Sequence, residues 1–316
     1  MRRIAAAVAG VTVVAWMLGA VPAQAMTPRP SDAPLGGKCA VFPADNIWNT
    51  RIDGLPVNPM SATWMSKMNS ASTKLHPDFG RSPYGFPLSY VTKSTPVHAL
   101  RFTYGAQSDK VKYPFAKTTP IEQGSDRHAL MINTSTCTLY ELFNAHWNDG
   151  KPWAGSGAVF HLGSNALRPD GWTSADAAGL PIVPGLVRWP EVESGSIHHA
   201  IRFTAVCTSQ AHLWPARHDA GSSDTDCPPM GARFRLKASF DVSSFSPNAQ
   251  VILRAMQQYG LILADNGSNW YFQGTMDKHW TDALLDELKT IPASEFEAVD
   301  ESACQVSANS AQASCP

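Results

Sequence analysis

The sequence predicts a mainly β protein, a β-sandwich or jelly-roll with one or two covering helices near the C-terminus. Three observations predict it. The 24 prolines, 22 glycines and scattered Ser/Thr/Asn clusters mark frequent turns, which suits many short strands better than a helical bundle. From Pro87 onward, short segments alternate with the period of two that a half-buried strand requires. A helical period emerges only after Ser246, too late in the chain to be the frame of the fold.

The elements follow in order. Met1-Arg2-Arg3, an apolar run over 4–21 and Ala23-Gln24-Ala25 have the form of a secretory signal over 1–25. A membrane anchor would need about 20 apolar residues, and the small-x-small ending favours cleavage. Residues 26–38 read as a linker, 39–300 as a single β-rich domain and 301–316 as a polar tail. Residues 63–69 form a short helix in this reading. Strands are expected at 88–91, 98–104, 128–133, 138–144, 158–162, 200–206 and 233–240, with 128–144 a hairpin closed by a polar turn. Ser246 and Pro247 look like an N-cap and N1 residue. Val251, Ile252, Ala255, Met256 and Tyr259 then repeat at helical spacing up to Gly260. A buried strand over 261–264, an Asp265-Asn266-Gly267 turn and a last helix over 281–290 complete the domain. The segment His98-Ala99-Leu100-Arg101-Phe102 is echoed at His199-Ala200-Ile201-Arg202-Phe203 and more faintly from His128. This is either a duplication or the common vocabulary of strands.

Charged residues make up 16% of the chain and the formal net charge is −1. No basic field is available for nucleic acid and no polybasic patch for a membrane once the signal is removed. The six cysteines suit an oxidising compartment. Cys304 and Cys315 lie in a polar tail with no core to pair into, and Cys207 and Cys227 flank one loop. Local pairing of each is simplest, and it leaves Cys39 with Cys137. No C-x-x-C spacing supports zinc on thiolates.

Eight of the ten histidines and five tryptophans fall between His98 and His218, a crowding that points to a site. Glu141, in Leu139-Tyr140-Glu141-Leu142-Phe143, is the leading catalytic candidate, because a carboxylate between bulky apolar residues is costly unless paired or functional. Alternation puts it on one face with Leu139 and Phe143, and that face lines a groove or meets solvent. Hairpin pairing brings Asp126 or His128 toward the end of its strand, a separation compatible with paired glycosidase carboxyls. Asp176 is a second carboxylate, beside a Ser174 that resembles a helix start. Trp147, Trp153, Trp172 and Trp214 are candidates for stacking on sugar rings or for core anchors. Arg168, with Arg188 and Arg217, could recognise the carboxylate of an acidic sugar. His128, His199 and His218 are the alternative, a three-imidazole metal set, although no H-E-x-x-H or H-x-H fixes two ligands locally. Serine hydrolase chemistry lacks its G-x-S-x-G signature.

The blocks 124–144, 164–187 and 229–265 resemble a group of uncharacterised secreted bacterial proteins, and that resemblance implies no activity and no site residues. The function expected from the residues is a secreted carbohydrate-active enzyme that cleaves a polysaccharide or oligosaccharide by carboxylate acid–base chemistry without a cofactor. A glycan-binding protein without catalysis and a histidine-coordinated metal enzyme are the alternatives.

Overall fold

Ten strands and four helices carry the architecture of the computed structural model, which describes Leu35 and residues 38–316 except Asp149. The expected signal and most of the linker lie outside the described residues. In chain order the helices are α1 (Ser61–Lys67), α2 (Trp189–Ser194), α3 (Pro247–Gln258) and α4 (Asp282–Leu288). The strands of the two principal sheets are β1 (His76–Asp78), β2 (Leu88–Val91), β3 (Ala129–Asn133), β4 (Thr138–Phe143) and β5 (Ser156–His161), followed by β6 (Ile201–Ala205), β7 (Arg233–Leu236), β8 (Leu261–Asn266), β9 (Tyr271–Gln273) and β10 (Phe296–Val299). Strand content of 28% against 17% helix bears out the mainly β class.

The larger sheet runs β1-β9-β6-β8-β7-β10 and the smaller runs β5-β4-β3-β2. Both are mixed, since β1 with β9, β6 with β8 and β2 with β3 are parallel pairs. The β3–β4 hairpin closes as expected, and Cys137 takes φ +50° in its turn. One face of the smaller sheet, carrying Leu130, Ile132, Leu139 and Ala158, joins Ile201, Phe203, Phe234 and Leu263 of the larger sheet in one continuous core. Its other face, with Ala129, Met131 and Leu142, packs on a smaller core built around Tyr113, Phe115, Ala145 and Ala154. The smaller sheet is thus buried on both sides, which is why residues 129–132 are all apolar.

Local sequence explains the helices. The Ser246 hydroxyl accepts from the Ala249 N–H, Pro247 occupies the first turn of α3, and the helix packs on β7, α2 and α4. Thr281 caps α4 in the same way, accepting from the Leu284 N–H. The echoed His-Ala segments do not share a setting. His98–Ala99 and Arg101–Phe102 belong to two small sheets, His128 precedes β3 in the smaller principal sheet, and His199 precedes β6 in the larger.

All three disulfides pair as the sequence suggests: Cys39–Cys137, Cys207–Cys227 and Cys304–Cys315. The tail, however, has a surface to pair on. Cys304 and Ala311 are buried, the Trp214 indole N–H donates to the Ser310 carbonyl at 2.8 Å, and Arg217 donates to Ala308 O and Asn309 Oδ1. Residues 301–316 are therefore docked on the domain, their polar backbone satisfied by its side chains. No helix among the described residues is long and apolar enough to cross a membrane.

Candidate functional site

The smaller sheet faces the larger one across a group of buried charges. Glu141 lies on β4 directly between Leu130 of β3 and Ala158 of β5, so alternation aims it into the core between the sheets together with Leu139. Its carboxylate accepts the Ile182 N–H at 2.9 and 3.0 Å and the Val183 N–H at 2.9 Å. These donors open the 3₁₀ turn Val183–Gly185, whose first N–H groups have no partner within the turn. Burial pushes Glu141 up to about 7, against the opposing pull of these bonds and of Arg202 and His128.

The turn belongs to a loop that ties itself together. Ser174 Oγ donates to the Leu180 carbonyl at 2.5 Å and accepts from the Asp176 N–H at 3.0 Å, and Asp176 Oδ1 accepts from the Ala178 N–H at 2.9 Å. The helix start expected at Ser174 is not formed, because these side chains satisfy the local N–H groups as turns instead. Gly179 sits at φ +72°, where a Cβ would lie 2.4 Å from the Trp172 carbonyl oxygen. The remaining oxygen of Asp176 accepts from Arg202 Nη2 at 3.2 Å.

Arg202 is the centre of the group. It is 2% exposed, donates from Nη1 to Gln273 Oε1 at 2.9 Å, lies over the Phe86 ring and pairs through Nη2 with Asp265 at 3.6 Å. Asp265 reaches it by a β-bulge. Phe203 pairs with Leu263 but Thr204 pairs with Asp265, skipping Ala264, and the extra residue turns Asp265 onto the face that carries Arg202. Asp176 and Asp265 thus approach one guanidinium nitrogen. Burial raises both above the ordinary aspartate range, Arg202 opposes this, and each feels the other or a further carboxylate nearby. The Asp265 side chain is 22% exposed while that of Asp176 is fully enclosed, so Asp265 is the member of the pair that meets solvent.

His128 stands beside this pair. Its Nδ1 lies 2.5 Å from Glu122 Oε2 and its Nε2 lies 2.9 Å from the Ala175 carbonyl, an arrangement that satisfies a doubly protonated ring. Burial opposes that charge, but the Glu122 hydrogen bond and charge outweigh it and hold His128 above the usual histidine value. Asp126 is exposed, its carbonyl accepting from the Asn144 N–H at 2.7 Å beyond the end of β4, and its charge contributes to raising Asp265. The structure therefore brings Glu141, Asp176, His128 and Asp126 into one neighbourhood. It adds Arg202, Asp265, Glu122 and Gln273, which the sequence did not single out. Reading Asp265-Asn266-Gly267 as a turn hid the strand end that presents the aspartate.

The other candidates disperse. Arg168 is 6% exposed and pairs with Asp109 while donating to Thr173 O and Gln107 O. Arg188 is buried against Glu191, and Arg217 is buried on the Arg168 carbonyl and the tail. These arginines hold loops and are not presented to an acidic sugar. Trp172 lies under the Arg168 guanidinium, Trp214 anchors the tail, and Trp147 packs inward on Phe115. Trp153 faces outward. The three-histidine set is not assembled. Among the described residues, the ligand atoms of His128, His199 and His218 do not converge, and His128 Nε2, His199 Nδ1 and His218 Nδ1 each donate to a backbone carbonyl. His199 Nε2 faces the Glu191 carboxylate. Among the described residues, the one group of three potential ligands is Cys207, Asp224 and Cys227, and its two sulfurs are joined in a disulfide.

No known protein family, curated protein or solved structure matches this chain. Its chemistry therefore has to be read from its own residues.

Proposed function

We propose that the protein is a secreted carbohydrate-active enzyme that cleaves glycosidic bonds by carboxylate acid–base chemistry, with Asp265 as the proton-transferring group. The observation that carries this reading is the pair Asp176–Asp265 on the single guanidinium of Arg202, with only Asp265 meeting solvent. Two carboxylates that share one cation in a desolvated site titrate together, and one keeps its proton toward neutral pH. Burial raises Asp265, the member that meets solvent, above the ordinary aspartate range, the direction that suits a general acid. In hydrolysis, Asp265 gives its proton to the glycosidic oxygen as the bond from the anomeric carbon to that oxygen breaks. Water adds to the anomeric carbon and passes a proton to the exposed Asp126. Arg202, Gln273 and Asp176 are positioning residues in this scheme, and Glu141 holds the loop that carries Asp176. The disulfides fit an oxidising, extracellular-type environment.

The test is Asp265→Asn, assayed for reducing-end release and for unsaturated product over a polysaccharide panel. We expect turnover to fall by roughly 100-fold or more with the thermal midpoint nearly unchanged. Full turnover in a folded Asn variant removes Asp265 from the reaction. Unsaturated product in place of new reducing ends with water incorporated would identify elimination, and the same carboxylates would then abstract a proton from carbon.

A further inference from the structure

A second face of the molecule has the form of a ligand site, and it involves none of the residues of the buried charge group. Strand Arg101–Phe102 pairs in parallel with Lys151–Ala154, which pairs antiparallel with His146–Asn148. The register puts Arg101, Trp153 and His146 in one row across this small sheet, and Lys151 with Asn148 in the next row but one along the same face, because paired residues share a face and residues two apart return to it. The opposite face carries Phe102, Ala154 and Trp147 into the smaller core. Gly150, in the connection between the last two of these strands, sits at φ +73°, a conformation that suits glycine. What alternation leaves outside is therefore a tryptophan flanked by two cations.

Three further observations define the face. Trp153 stacks on the His146 ring at a centroid distance of 4.1 Å and an interplanar angle of 6°, which immobilises the indole from one side. Burial and the nearby Arg127 hold His146 below the ordinary histidine value, so the stack is neutral at pH 7 and the positive charge comes from Arg101 and Lys151. Among the described residues, no carboxylate pairs with either cation. Finally, Arg101, Phe102, Thr103, Asn148, Lys151 and Trp153 line a cleft of about 460 Å³, and none of these described residues is acidic. That volume is in the range of small-molecule sites.

We infer that this cleft binds an acidic saccharide, a uronate-containing oligosaccharide whose ring stacks on Trp153 while its carboxylate meets Arg101 and Lys151. An indole presents a flat apolar surface to the C–H face of a sugar ring, a guanidinium matches a carboxylate, and Asn148 and Thr103 supply neutral partners for ring hydroxyls. An oligonucleotide would also stack on an indole, but it needs cations tracking a run of phosphates. Here the cations cluster about a single ring and the chain as a whole carries a formal charge of −1.

The experiment is calorimetric titration of the full mature protein with uronate oligosaccharides of several linkages, with a neutral gluco-oligosaccharide and with a short oligothymidylate. The expected result is saturable uronate binding that weakens with salt and exceeds binding of the other two. It falls by about tenfold or more in Trp153→Ala and in the double variant Arg101→Ala with Lys151→Ala, while the thermal midpoints of these surface variants stay close to that of the parent. Binding should be unchanged in Asp265→Asn, so loss of catalysis and loss of binding read out separately and either proposal can fail alone. No uronate binding at millimolar concentration, equal affinity in the Trp153 variant, or stronger binding of the oligothymidylate would each overturn the assignment.

Discussion

At the scale of the residue, the cost of a buried carboxylate is met here by backbone rather than by a cation. Glu141 accepts three N–H contacts from Ile182 and Val183, so its two oxygens serve as a clasp between β4 and the loop. An amide in its place keeps one accepting oxygen and turns the other acceptor into a donor facing an N–H. Glu141→Gln should therefore destabilise the fold by about 1–3 kcal/mol, the cost of a buried polar group left unmatched, which urea unfolding would measure. A variant as stable as the parent would show that the clasp contributes nothing. In this geometry a loss of turnover in the variant would follow loosening of the loop that carries Asp176, and it should be partly recovered at low temperature or with a stabilising osmolyte.

At the scale of the element, the bulge in β8 and the disulfides do most of the placing. The bulge turns Asp265 onto the face of the sheet that carries Arg202. The disulfides act on the unfolded chain, and their loops differ greatly in length, with sequence separations of 98 for Cys39–Cys137 and 11 for Cys304–Cys315. The loop-entropy relation makes the longer closure worth about 2 kcal/mol more. Replacing Cys39 and Cys137 by serine should lower the denaturation midpoint further than replacing Cys304 and Cys315. Peptide mapping without reduction should recover the three linked pairs and no free thiol. An equal loss from both double variants would mean that docking of the tail, and not loop closure, sets the value of its bridge.

At the scale of the whole molecule, the buried charges set the pH dependence of stability. Burial raises Glu141 and Glu301 to about 7 and Asp176 to about 8. An acid raised in the folded state binds its proton more tightly there than in the unfolded chain, so stability falls as pH climbs from the ordinary carboxylate value to the raised one. His128, raised by Glu122, works in the same direction, its contribution being lost as pH rises past its folded value. Glu122 and Glu191 are lowered by their partners, and they withdraw stability only when pH falls below the usual carboxylate range. Stability should therefore peak near pH 5 and decline toward pH 8, with a fall in thermal midpoint on the order of 5 °C or more. Calorimetry across that range would check it, and a midpoint that rises from pH 5 to 8 would contradict the assignment of these groups.

Neighbouring residues carry the local structure, namely the β3–β4 hairpin, the capped helix α3 and the mainly β class, and they suggested the three disulfide pairs that the structure shows. Alternation, caps and short loops are written in neighbouring residues, and the last pair followed once the two local ones were assigned. The sequence also singled out Glu141, Asp176, His128 and Asp126, because a charge in an apolar or histidine-rich context is visible without knowing its neighbours. Alternation has no sign, however. It puts Glu141 on one face with Leu139 but cannot say whether that face meets the core, and that was decided by the larger sheet closing over Leu139. The partners Arg202, Asp265 and Gln273 come from three strands brought together by parallel and crossover pairing. A one-residue bulge aims Asp265. Such convergence depends on long-range register, which no window of the chain contains.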